Sequence, residues 1–199
     1  MNWHRLDREK TIEIINTVQN GTDLSLFNPK TSEVKCASLP FYRNFLQYRL
    51  TNYASLPCFT FDYLGNGEKF YHLNGEADTI YKINEQAHLN LNIKTVMPYL
   101  RFFLDNVSID DGEVYLVENT DDLSFIDSMG PDQKKHLEDH FEAPAISYEP
   151  TLSAFIVKCT LYFMGILMHT SIRIDNNGVV SILDQTMLMQ SHLHSEIRQ

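Results

Sequence analysis

The sequence predicts an α+β fold: a predominantly antiparallel sheet of hairpins with about three helices packed on one side. Three observations predict it. Residues 155–161 alternate, with Phe155, Val157, Cys159 and Leu161 on one side of a strand and Lys158 and Thr160 on the other. Turn signals at Gly65-Asn-Gly67 and Asp175-Asn-Asn-Gly178 separate apolar runs by so few residues that the flanking strands must be antiparallel neighbours. Finally, Ile12, Ile15 and Val18, and the pairs Tyr99/Phe103 and Leu100/Leu104, recur at helical spacing.

The elements follow in order. Residues 7–19 form a helix that Asn20-Gly21 stops. A short strand over 24–27 leads into a polar loop over 28–38. Residues 41–50 suit a helix (Tyr42, Leu46, Leu50) or a strand (Leu46, Tyr48, Leu50), and the flanking Pro40 and Pro57 tilt the choice to strand. In the next hairpin a three-residue loop sets Phe61 opposite Tyr71 and Phe59 opposite Leu73, so that Thr60, Asp62, Phe70 and His72 share the other face. Residues 79–84 read as a strand. A helix spans 95–107, with Thr95 placed to cap it and Pro98 in its first turn, where the missing amide proton matters little. Asp110-Asp-Gly112 turns into a strand over 113–117, residues 131–141 form a helix, and 142–151, with Pro144 and Pro150, form a loop.

Three strands follow between 155 and 189, with Ile166, Met168, Ile172 and Ile174 inward and Leu167, His169, Ser171 and Arg173 outward. The loop at 175–178 can be chosen by pairing. A two-residue loop sets Ile172 against Ser181. A three-residue loop ending in a left-handed Gly178 sets Ile174 against Val180 and Ile172 against Ile182, apolar against apolar. Asp184 then falls opposite Thr170 on the inner face, so the sheet is expected to end near there. Residues 190–199 read as a loose tail, and 1–199 as a single compact domain with 28–38 and 142–151 as internal connections.

Composition excludes several function classes. A hydrophobic content of 43%, with twelve Phe and ten Tyr, suffices for a sizeable core. The formal net charge of -10, without any basic run, argues against a nucleic-acid partner. The longest apolar stretch, 159–168, is half the roughly 20 residues that a membrane-spanning helix needs, and the charged first ten residues do not resemble a leader, so no membrane association is expected. Cys36, Cys58 and Cys159 are odd in number and widely spaced, which suits free thiols in a soluble cytoplasmic protein. No cofactor motif is present, and none is expected.

The candidate sites are few. His136-Leu-Glu-Asp-His140 places two imidazoles one helical turn apart, as a zinc site would, but Glu138 stands where neither zinc-protease pattern has its glutamate, and a solvated helix face is the plainer reading. His192 and His194 fall in the tail. In the hairpin register above, Asp62 lies diagonal to His72, with Cys58 on the same side, an arrangement that would suit base-assisted nucleophilic chemistry. Lys158, Thr160, Tyr162, His169, Ser171 and Arg173 share one strand face and would meet either an anionic ligand or water. Gly65-Asn-Gly67 lacks the lysine of a phosphate loop, and Asp110-Asp-Gly112 lacks calcium-ligand spacing. Phe163 and Met164 fall at a hairpin tip, where apolar side chains imply cover by the chain or by a partner. The expected function is a non-enzymatic interaction or ligand-binding protein, self-associating or bound to a protein partner. The alternative is a hydrolase-like or transferase enzyme assembled around Asp62 and His72.

Overall fold

Alternation along the strands resolves the chain into two antiparallel sheets of five strands each, so the α+β class holds. The computed structural model describes residues 1–20, 26–108, 112, 114–123, 126 and 129–190, which carry four α-helices beside the sheets. The chain divides into two compact units, Met1–Asn90 and Leu91–Gln199.

The first unit is a meander in the order β1 (Trp3–Arg5), β2 (Ser32–Ser38), β3 (Leu46–Asn52), β4 (Phe59–Gly65) and β5 (Phe70–His72). Val34 lies opposite Leu50, Leu50 opposite Phe61, and Tyr48 opposite Tyr63, which gives one continuous apolar face. Helix α1 (Arg8–Asn20) covers it with Ile14, Ile15 and Val18. The Asp7 carboxylate starts that helix by accepting the Lys10 amide at 2.9 Å. The opposite face is polar across β3 and β4. Arg49 clamps Asp62 with two bonds of 2.8 and 2.7 Å, Gln47 donates a third at 3.1 Å, and Trp3 lies 4.6 Å below the guanidinium. Helix α2 (Ala77–Gln86) reaches this face through Gln86, whose side-chain oxygen accepts the Tyr71 hydroxyl at 2.7 Å.

Residues 79–84 lie in helix α2 and not in a strand, because Ile80, Ile83 and Ala87 bury at helical spacing. The loop over 28–38 contains β2: Val34 and Cys36 alternate with Glu33 and Lys35, and the charged partners of Glu33 mask the pattern. The ambiguous 41–50 segment divides, with Phe41, Tyr42 and Phe45 buried in an irregular stretch and the strand starting at Leu46. Residues 24 and 25 lie outside the described residues, and Leu26 and Phe27 are not in a strand.

In the second unit the hairpin of β8 (Ala154–Phe163) and β9 (Ile166–Asp175) pairs along its whole length. Met164 and Gly165, at φ 48° and 86°, make the two-residue turn, both left-handed as a right-twisted hairpin requires. On the free side of β8, β7 (Ala145–Glu149) pairs with the first half and β6 (Val114–Val117) with the second. The loop expected over 142–151 therefore contains a strand. On the far side of β9, β10 (Val180–Gln190) begins with Val180 opposite Ile174 and Ile182 opposite Ile172, around a Gly178 at φ 84°, as the loop argument requires. The sheet does not end at Asp184. A bulge at Leu183 moves Asp184 opposite Ser171, on the other face, and a second bulge at Leu188 precedes the pairing of Gln190 with Ile166.

Helix α3 (Val96–Asn106) is tied to the β9–β10 turn by the Tyr99 hydroxyl, which donates to Gly178 O at 2.7 Å. Thr95 precedes α3 without capping it, because its hydroxyl accepts the Asn92 amide at 2.9 Å. Helix α4 (Pro131–His140) buries Leu137 among Val117, Leu123 and Leu167. No described helix is long and apolar enough to cross a membrane.

Thr170, opposite Cys159 in the core, is 4% exposed, and its hydroxyl has no hydrogen-bond partner among the described residues. Replacing an unsatisfied buried hydroxyl by a methyl of the same shape removes a desolvation cost. Thr170→Val should therefore raise the unfolding free energy by about 1 kcal/mol in urea titration. A loss of that size would show that the hydroxyl is bonded.

Candidate interaction surface

Among the described residues, three of the four sheet edges are short. β1 and β5 have three residues each, and the free side of β8 is divided between β7 and β6, with five and four. Short edges are one way a protein prevents uncontrolled strand pairing. The fourth edge, β10, has eleven residues. Ile182, Leu183 and Met187 are 46%, 53% and 63% exposed on it. It contains no proline and no lysine, and Asp184 is its one ionisable side chain. Between the two bulges, residues 184–187 pair regularly with 171–168. A strand bonded on one side only offers its outward amides and carbonyls to another strand, and the exposed apolar side chains add burial to that pairing.

The sequence places Ile182 on the buried face opposite Ile172 and ends the sheet near Asp184, short of Met187, so it does not expose this edge. The signal was available in the uncharged run 185–190.

Phe163 is half-buried: a Cβ on Gly112 would stand 2.4 Å from its Cε2, so the Gly112 backbone covers the ring. Met164 is 60% exposed at the turn. Lys158, His169 and Arg173 do share a face, since Thr160 lies opposite His169 and Lys158 opposite Ser171. On that face Arg173 is paired with Asp175 at 2.7 Å, Thr160 Oγ1 is 3.4 Å from His169 Nδ1, and Lys158 is exposed.

Asp62 and His72 are not brought together. β5 pairs His72 with Tyr63 and Tyr71 with Leu64, a register offset from the expected one by an odd number of residues. An odd offset reverses the face. His72 accordingly packs with Phe61 and Tyr63, at ring separations of 5.0 and 5.3 Å, while Asp62 points through the other face to Arg49. Cys58 is exposed just before β4. The His136 and His140 rings stack at 4.3 Å on the exposed side of α4, and the His140 Nδ1 lies 2.8 Å from the His136 carbonyl. Among the described residues no three His, Cys, Asp or Glu side chains are grouped to hold a metal. His192 and His194 lie outside the described residues.

No family model, curated protein or solved structure matches the chain.

The thiols differ in accessibility. Burial pushes the Cys159 thiol up to about 12, and burial also raises Cys36 against an opposing pull from Lys10. A raised thiol pKa favours the folded state below the unfolded value near 9.0, and that contribution is lost as pH rises from there towards 12. At pH 8 iodoacetamide should label Cys58 at least about 100-fold faster than Cys159, whose modification must await opening of the sheet. Equal rates by peptide mass spectrometry would contradict the burial of Cys159.

Proposed function

We propose that the chain is a non-enzymatic interaction protein that engages its partner by strand addition at β10. The observation that carries this reading is the contrast between one long, apolar, nearly uncharged edge and the three- to five-residue edges elsewhere. Main-chain bonds would supply the affinity, and Ile182, Leu183 and Met187 the selectivity. The three cysteines, none of them in a disulfide, support a cytoplasmic setting for it. That Asp62 and His72 lie on opposite faces supports this reading over an enzyme assembled around them.

Tagged wild-type protein and the double variant Leu183→Lys, Met187→Lys should differ in what they retain from cells. Lysine on an edge strand opposes pairing without removing core contacts, so the variant should keep its circular dichroism spectrum. At least one protein, a second copy of the chain included, should fall by about tenfold or more in quantitative mass spectrometry, a loss equivalent to about 1.4 kcal/mol. Identical retention by both forms, or no specific retention by either, overturns the reading.

A further inference from the structure

We infer that the strand added at β10 is β10 of a second copy, paired antiparallel about a two-fold axis at Gln185. The inference rests on the edge reading above and names the partner. A two-fold axis through a sheet sets each residue opposite one on the same face, so only certain registers are allowed. With the axis at Gln185, Asp184 meets Thr186, and Ser181 meets Met189. The bonds to β9 put Asp184 and Thr186 on one face, opposite Ser171 and His169, and Ser181 and Met189 on that same face, opposite Arg173 and Leu167. The two bulges therefore leave these pairs matched in face on both sides of the axis.

The same register sets position 183 of each copy opposite position 187 of the other, so the two most exposed apolar residues of the edge both fall along the seam. Charge separates it from its neighbours. An axis at Asp184 would put two carboxylates directly opposite each other, and an axis at Thr186 would put Asp184 opposite Leu188. With the axis at Gln185 the two Asp184 side chains are diagonal neighbours, about 7–8 Å apart at their Cα atoms. The centre of pairing also falls within 184–187, the regular stretch between the bulges. The result would be one continuous ten-stranded sheet.

Each copy carries a formal charge of -10, so long-range repulsion opposes the pairing and salt should strengthen it. Light scattering on the full chain, over about two decades of concentration, should show a monomer of 23.1 kDa passing to a dimer. The dimer fraction should rise between about 50 and 500 mM NaCl, as the screening length contracts. Leu183→Lys should remain monomeric with an unchanged circular dichroism spectrum.

The register is read separately, on a Cys58→Ser background. Gln185→Cys should form an interchain disulfide on mild oxidation, because position 185 meets itself, whereas Ser181→Cys should not. A wild-type chain that stays monomeric throughout overturns this inference, as does cross-linking through Ser181→Cys in place of Gln185→Cys. Either failure leaves the edge reading to be judged by edge-dependent retention of a different protein, so the two are distinguishable.

Discussion

The second unit depends on one interaction, the uninterrupted ladder between β8 and β9. All ten residues of each strand are paired, from Ala154 with Asp175 to Phe163 with Ile166. Such a ladder fixes the parity of every side chain on both strands, and the rest of the unit is assembled on that parity. One face presents Phe155, Val157, Ile172 and Ile174. At the far end of the other face, Leu167 and Tyr162 form the floor on which α4 sets Leu137. The turn that closes the ladder contributes as much as the pairs. With both turn residues left-handed, the strands leave the turn already twisted in the favoured sense, and Met164 accepts a backbone conformation that glycine would take more readily.

Parity also decides what the first unit cannot do. A hairpin of aromatic residues has two registers of comparable apolar pairing, and they differ in which face receives the polar side chains. The observed one gathers Phe59, Phe61, Tyr63, Phe70 and His72 on the side that α1 covers or borders. Asp62 is left on the side where Arg49 and Gln47 supply three donor contacts. The carboxylate and the cation satisfy each other in a bidentate pair, so the constellation neutralises charge locally and leaves no imidazole beside the acid.

What was legible in the sequence is the part fixed by local pairing. The β9–β10 loop could be chosen because only one length set Ile172 against Ile182, and the helices α1 and α3 declared themselves by spacing. The errors share a physical origin. β2 and β7 carry few apolar residues because they are completed by neighbours: Val34 by Leu50, Ile146 by Val157. Tertiary pairing supplies what their own alternation lacks. In α2 the strand reading of Ile80-Tyr-Lys-Ile83 overlooked Ala87, the third member of a helical stripe. The candidate surface was missed for a subtler reason. A bulge moves the next residue to the opposite face, so extrapolating strict alternation past Ile182 buried Asp184 and argued the strand to an early end.

That same bulge shapes the long apolar edge. Bulges bend and over-twist an edge, and here they leave 184–187 as the regular stretch at its centre. Asp184 sits inside that portion, where it forbids the register that sets it against itself and tolerates one displaced by a single residue. A formal charge of -10 on each chain adds a repulsion that grows with every copy joined. A pairing about a two-fold axis uses β10 of both partners, and the other edges among the described residues have three to five residues. Closure is then built into the geometry, since the surface that would recruit a third chain is used up by the second.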